Sequence, residues 1–191
     1  MFMRRLHHLL LPVLSLMALG AQQAAGQMAD STHSEAQAIP PAGAYAYTLM
    51  PDSSSDIKAA INETVSPMNF LIRGIARGRL TKVNPLPHRV RVRLATDTVS
   101  VSFDDGDPVV TPADGAVVPW FNALAKETDQ AHVLVAGDTL RQTIAASDGD
   151  RENALTFADS GARLHIRVTV SSHRLPKPLT YDLLFRRDSA G

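Results

Sequence analysis

The sequence predicts a mainly β protein, an antiparallel barrel or sandwich of about eight to ten strands preceded by one kinked or split amphipathic helix. Gly137, Gly149 and Gly161 recur at an interval of twelve, and the stretches between them alternate apolar and polar residues. Alternation with a period of two indicates strands with one buried face, and evenly spaced turns indicate antiparallel hairpins. From Ile57 the apolar period lengthens to three and four residues, which indicates an α-helix.

Strands are predicted on both sides of this helix. Alternation around Tyr45 predicts a short first strand, and alternation resumes at Arg89 and continues almost to the end of the chain. The least regular stretch is residues 117–130, where Pro119 argues against a central strand. Five residue pairs of the kind that tight turns favour separate the later strands. They are Asp105-Gly106, Asp114-Gly115, Gly137-Asp138, Asp148-Gly149 and Ser160-Gly161.

The helix is predicted from an apolar stripe that contains a proline. The stripe consists of Ile57, Ile61, Val65, Met68, Ile72 and Ile75. Because Pro67 would remove a backbone hydrogen bond, we expect either a kink there or two helices, at residues 57–65 and 67–77. We expect Arg73 and Arg77 to be exposed. The residues of the stripe expected to be buried against the sheet are Ile61, Val65, Met68, Ile72 and Ile75.

The first residues predict an exported protein. Arg4 and Arg5 precede a short apolar run followed by small residues, which is the layout of a secretory signal peptide. We therefore expect residues 1–26 to be a signal peptide, residues 27–43 a disordered linker, and residues 44–188 a single helix-capped β-barrel domain. No later stretch is apolar for long enough to span a membrane. The expected location is secreted or periplasmic.

The composition argues against several kinds of chemistry. The chain has no cysteine, which excludes disulfides and thiolate metal ligands. It lacks the G-x-S-x-G motif of serine hydrolases, and its histidines lack the H-E-x-x-H spacing of zinc enzymes. Equal numbers of basic and acidic residues, 19 of each, leave no overall charge. We expect a protein that is not an enzyme, has no metal or cofactor, and binds no nucleic acid.

From Gly137 onward the hairpins resemble lipocalin-like (calycin-type) secreted bacterial β-barrels of uncharacterised function. The segment at the end of this run, Leu179-Thr180-Tyr181-Asp182-Leu183-Leu184-Phe185-Arg186, resembles their last strands. Gly43-Ala44-Tyr45 stands where lipocalins have G-x-W, and the helix precedes the barrel instead of following it. The resemblance implies that an apolar small molecule bound inside the barrel is a plausible ligand.

Three aromatic residues are the candidate ligand-binding residues: Trp120, Phe121 and Tyr181. Trp120 is the only tryptophan in the chain, and amphipathic rings suit the mouth of a ligand cavity. The alternative for Trp120 is ordinary core packing.

Six arginines form a candidate docking face. No acidic residue occurs between Glu63 and Asp97, and arginines occupy the outward phase of the strands at both ends of the barrel sequence. Closure of the sheet would bring these strands together and create a basic surface for an anionic lipid, a glycan or an acidic protein of the envelope. The residues are Arg89, Arg91, Arg93, Arg163, Arg167 and Arg186. The alternative is that these charges only keep the surface soluble.

Two functions therefore stay open. The first is an exported soluble binding module that holds an apolar small molecule in its barrel. The second is a non-enzymatic structural or interaction protein of the envelope, with a solid barrel and the basic docking face. The interior separates them, because ligand cavities reach about 300 Å³ or more, whereas a small barrel can be filled by its own side chains.

Overall fold

The computed structural model describes residues 38–123 and 125–189, and these residues form a mainly β fold. The helices α1 (Ile57–Val65) and α2 (Phe70–Val83) lie between the first and second strands. The strands are β1 (Gly43–Leu49), β2 (Arg89–Leu94), β3 (Thr98–Phe103), β4 (Val109–Pro112), β5 (Val118–Asn122), β6 (Glu127–Ala136), β7 (Thr139–Ala146), β8 (Gly149–Ala158), β9 (Arg163–Ser171) and β10 (Leu179–Arg187). The predicted fold class is confirmed.

All neighbouring strands are antiparallel, in the order β4-β3-β2-β1-β10-β9-β8-β7-β6-β5. β1 pairs with β2 on one side and with β10 on the other, so the first and last described strands are neighbours. β4 and β5 end this order and touch each other without a ladder, which makes the barrel nearly closed. Pro119 lies in β5, an edge strand, where its missing N–H is tolerated.

The turns between the strands lie where the sequence predicts them. Gly137 adopts a φ of +64° between β6 and β7, a conformation that costs glycine little. At position 149 glycine is required for a different reason, because a Cβ atom there would lie 2.0 Å from the carbonyl oxygen of Ser171.

The predicted signal peptide, residues 1–26, and most of the predicted linker lie outside the described residues. The end of that linker is not loose, since Ile39 packs against the core and Pro40 is buried. The hydroxyl of Tyr45 donates a hydrogen bond to the Pro41 carbonyl, which fixes this segment to the barrel.

The helical stripe divides into two helices at its proline. The carboxylate of Asp56 caps α1 by accepting hydrogen bonds from the N–H groups of Lys58 and Ala59, at 2.8 and 3.2 Å. The side chain of Asn69 caps α2 by accepting the N–H of Leu71 at 3.1 Å. α1 has the predicted bounds, whereas α2 begins three residues later than expected and extends further.

The expected burial of the second helix is wrong. Ile61 is 1% exposed in α1, but Ile72 and Ile75 are 58% and 63% exposed in α2. The prediction that one apolar stripe is buried holds only if the residues belong to one unbroken helix. The break between α1 and α2 resets the helical phase, so that Ala76 and Leu80 face the barrel instead.

The middle of the barrel is filled by side chains from the inward faces of the strands. Tyr47, Leu183 and Phe185 are 0% exposed, and so are Leu155 and Phe157 on β8. The rings of Tyr47 and Phe157 lie 6.4 Å apart between centroids. Since water reaches none of these side chains, this part of the interior is a solid core.

The two isoleucines provide a matched test of helix packing. Ile61→Asp should lower the free energy of unfolding by about 3 kcal/mol or more, because it buries a carboxylate in an apolar site. Ile72→Asp should change it by about 0.5 kcal/mol or less, because that side chain is in solvent. Urea unfolding of both variants measures the difference, and equal effects would contradict the observed packing.

The buried hydroxyl of Tyr47 should make the protein less stable in alkaline solution. Burial raises the pKa of its hydroxyl from 10.0 to about 12, against the opposing charge of Arg187. The stabilisation from the neutral hydroxyl is therefore fully present below pH 10.0 and is lost as the pH rises towards about 12.

Tyr47→Phe should remove this part of the pH dependence. The variant also loses the hydrogen bond from the hydroxyl to the Gly161 carbonyl, which is 3.1 Å long. We expect a constant cost of about 1 kcal/mol at neutral pH from that loss. Urea unfolding of both proteins from about pH 8 to about pH 12 tests this, and parallel curves throughout would refute it.

Candidate functional site

A chain of polar side chains crosses the interior of the barrel at the end covered by the helices. The Tyr181 hydroxyl donates to Asn84 Oδ1 at 3.2 Å, and Arg151 Nη1 donates to the same oxygen at 3.1 Å. Arg151 Nε donates to Asn153 Oδ1 at 3.0 Å, and Asn153 Nδ2 donates to Gln142 Oε1 at 3.0 Å. These five residues are the interior polar chain.

Strand register places the interior polar chain. Gln142, Asn153 and Tyr181 lie at one level of the sheet, on β7, β8 and β10. Asn84 enters from the segment after α2, where its Nδ2 donates to the Leu80 carbonyl at 2.9 Å. All except Arg151 are 3% exposed or less, so the chain is rigidly held.

Arg151 is a cation on the inside of the barrel. Its side chain is half-buried, and its guanidinium carbon lies 5.9 Å from the centroid of the Phe103 ring. Its hydrogen bonds go to two neutral amides, and in residues 38–123 and 125–189 it forms no ion pair. Nη2 is therefore available as a donor.

Half-buried apolar side chains surround this guanidinium at the rim of the interior. Ile144 and Val170 are the direct cross-strand partners of Arg151 on the two neighbouring strands. We define the mouth as Phe103, Trp120, Ile144, Arg151 and Val170, whose partial exposure contrasts with the inaccessible core below them.

The three aromatic residues that the sequence singles out are not all brought together. Trp120 is half-buried and faces inward at the mouth, and Tyr181 is 2% exposed in the interior polar chain. Phe121 is 60% exposed and lies on the outer face. Adjacent residues of a strand point to opposite faces, so Trp120 and Phe121 cannot line the same cavity.

A second ionisable residue lies inside, opposite Trp120. Asp129 is 2% exposed and pairs with Trp120 across the β5–β6 ladder. Its Oδ2 accepts a hydrogen bond from Asn122 Nδ2 at 2.9 Å, whereas its buried Oδ1 has no partner among the described residues.

Sequence reasoning missed both inward ionisable residues, although each has a signature in the strand pattern. Arg151 shares the inward phase of Leu155 and Phe157, and Asp129 shares the inward phase of Val133. A charged residue at an apolar position of an alternating strand indicates either a buried charge or a binding site.

The six arginines of the candidate docking face are all exposed, on strands that adjoin one another through β1. Their positive charge is offset in part, however, because four of the six meet an acidic residue. These pairs are Arg89–Asp188 at 3.5 Å, Arg91–Asp105 at 3.5 Å, Arg167–Asp182 at 3.9 Å, and Arg163–Asp159. The carboxylates come from turns, from β10 itself and from the end of the chain, which fold against the arginine strands.

Two concave surfaces of the described residues lie outside the barrel. One, of about 490 Å³, follows β1 to β3 and is lined by Arg91, Arg93 and small residues such as Ala44. The other, of about 300 Å³, is lined by His88 and Asp104 among others. Neither is a cavity in the barrel interior.

Residues 38–123 and 125–189 contain no group of three or more histidines, cysteines or acids that could hold a metal ion. The same part of the chain has no helix long and apolar enough to cross a membrane.

Known proteins were compared with this chain by sequence and by structure. No protein-family model matches it, and no curated protein matches it. Among solved structures it resembles a fatty acid-binding protein from brain tissue of Drosophila melanogaster, with 14% identity, coverage of 75% of this chain and 96% of that one, and a TM-score of 0.47.

Two further structures of that kind resemble it. The fatty-acid-binding protein from Manduca sexta has 9% identity, coverage of 76% and 97%, and a TM-score of 0.48. Fatty-acid-binding protein 1 from Echinococcus granulosus has 8% identity, coverage of 78% and 97%, and a TM-score of 0.47. Because these identities and scores are low, no residue role is transferred from them to this chain.

Proposed function

We propose that this chain is an exported, non-enzymatic binding module that holds an apolar small molecule with an anionic end group at the mouth of its barrel. The observation that carries the proposal is Arg151, a guanidinium on the inner face of the barrel that has no carboxylate partner among the described residues.

Removing a guanidinium from water costs free energy that hydrogen bonds to neutral amides offset only in part. A carboxylate supplies the missing charge and accepts two parallel N–H bonds from arginine. Asn84 and Asn153 already hold Arg151 in place through Nη1 and Nε, so little side-chain entropy remains to be lost on binding. The unoccupied Nη2 is the expected donor to the ligand.

The apolar part of the ligand has a defined environment. Phe103, Ile144 and Val170 are half-buried beside Arg151, Trp120 is half-buried on the inner face of β5, and a hydrocarbon chain would complete their burial. The solid core below the mouth leaves no room along the barrel axis, so the ligand lies at the mouth, beneath the helices. This position distinguishes the proposal from a ligand enclosed at the centre of the barrel.

The filled core also favours the second candidate function, an envelope interaction protein with a solid barrel. That function requires a docking surface, and α2 fits it better than the arginine strands, because its cations form no ion pair among the described residues.

Binding of decanoate tests the proposal. Trp120 is the only tryptophan and belongs to the mouth, so its fluorescence reports occupancy there directly. We expect decanoate to bind and decyltrimethylammonium, which has the same tail and the opposite charge, to bind far more weakly. Arg151→Met should weaken decanoate binding by about tenfold or more, because a charge-assisted pair is lost.

Arg93→Met is the matched control, since it removes an equal charge from the outer face. It should leave decanoate affinity unchanged, and calorimetry should agree with the fluorescence titration. A parent protein that does not bind decanoate, or an Arg151→Met variant that binds it equally well while folded, would reject the proposal.

Export is tested separately by the mass of the mature chain. The layout of the first residues predicts cleavage near Gly26, with a mature N-terminus between Ala21 and Met28. Intact-mass measurement of protein recovered from a secreting host checks this. Retention of the first residues in the recovered protein would rule out a cleaved leader.

A further inference from the structure

α2 carries more exposed large apolar side chains than any other helix or strand described. Phe70, Leu71, Ile72 and Ile75 are 75%, 67%, 58% and 63% exposed, and Leu80 is the only buried residue of the helix. Soluble proteins seldom leave several large apolar side chains together in water unless a partner covers them.

The exposed side chains on the outer side of α2 change in character along the helix. Leu71 and Ile75 are four residues apart, which places one above the other, and Phe70 and Ile72 flank them. The same row continues at steps of four and three through Arg79 and Lys82. The outer side of the helix is therefore apolar in its first half and basic in its second half.

The charge of α2 is uncompensated. The helix contains four basic residues and no acidic residue. Arg73 donates to the Met68 carbonyl at 2.7 Å, and the other three cations form no ion pair within the described part of the chain. This contrasts with the arginines of β2 and β9, most of which face a carboxylate.

We propose that α2 docks the protein onto the surface of a membrane that contains anionic phospholipids. Phe70, Leu71, Ile72 and Ile75 enter the boundary between headgroups and acyl chains, and Arg79 and Lys82 contact the phosphates. A helix with one apolar and one basic region suits this interface, where burial of side chains and attraction to anionic lipid act together.

The barrel supports this role by holding the second half of α2. Ala76 packs against the core, Leu80 is buried, and the Leu80 carbonyl accepts a hydrogen bond from Asn84 in the interior polar chain. The second half of the helix is thereby fixed, and the apolar side chains of the first half are exposed.

The positive charge of α2 favours a lipid surface over a second copy of this chain as the partner that covers the helix. A symmetric contact between two copies would bring the cations of one α2 against those of the other, and like charges at close range oppose association. An anionic membrane offers the complementary charge together with an apolar layer.

Vesicle co-sedimentation tests the proposal with full-length chains that share one N-terminus, so that any contribution of residues 1–37 cancels between variants. The probes are vesicles of phosphatidylcholine alone and of phosphatidylcholine mixed with phosphatidylglycerol. The parent should bind the anionic vesicles and bind less as salt rises, because screening weakens the attraction.

Two double variants separate the apolar and basic contributions. Ile72→Ser with Ile75→Ser should weaken binding by about tenfold or more, because apolar burial is lost. Arg79→Ser with Lys82→Ser should weaken binding to anionic vesicles by about tenfold or more and abolish the preference for them. The matched control, Arg93→Ser with Arg186→Ser, removes the same charge from the outer face of the barrel and should bind like the parent.

Urea unfolding confirms that each variant is folded, as expected for exposed positions. No binding to anionic vesicles by the parent overturns the proposal, and so does undiminished binding by either α2 variant. Loss of binding in the Arg93 and Arg186 control would assign docking to the strands instead.

Sedimentation velocity tests whether a second copy of the chain covers α2. A dimer of the parent that dissociates in the isoleucine variant would show that it does, and would overturn the proposal. The proposal is independent of decanoate binding at the mouth.

Discussion

β1 is the strand on which the architecture depends, because it pairs with β2 along one edge and with β10 along the other. This joins the hairpins at the two ends of the domain into one curved sheet. It also forces the long connection from β1 to β2 to cross one end of the barrel, and α1 and α2 occupy that connection. β10 extends beyond β1, and the side chains of Ser54 and Ser55 accept the N–H groups of Leu184 and Asp182 there, at 2.9 and 3.0 Å.

The middle of the barrel interior and its end near the helices differ in polarity for a physical reason. Apolar side chains fill the middle, where water is excluded and an unpaired polar group would cost several kcal/mol, on the order of its desolvation. Near the helices each buried amide of the interior polar chain is hydrogen-bonded to another member of that chain. Because such a network is costly unless it is satisfied, the guanidinium of Arg151 is the group in it that gains most from an anionic ligand.

Neighbouring elements also decide where positive charge stays available. The outward arginines of β2 and β9 lie beside strands and turns that carry aspartates, so their charge is largely offset. α2 lies outside the sheet, and its cations form no ion pair within residues 38–123 and 125–189. The basic residues of the sequence therefore stay unpaired on the helix and form ion pairs on the strands, where exposed pairs contribute little to stability.

Local patterns in the sequence were sufficient for the class of fold, the turns and the bounds of α1, since alternation, glycine spacing and proline act over a few residues. The same patterns placed the six arginines outward and Tyr181 inward in strands. Tertiary structure alone decided that Ile72 and Ile75 face solvent, because the phase of a helix after a break depends on how it packs. Tertiary structure alone also decided that the outward arginines form ion pairs with carboxylates. It likewise decided that Arg151 and Tyr181 both donate hydrogen bonds to Asn84. Those contacts link residues far apart in the chain, and only closure of the barrel through β1 brings them within hydrogen-bonding distance.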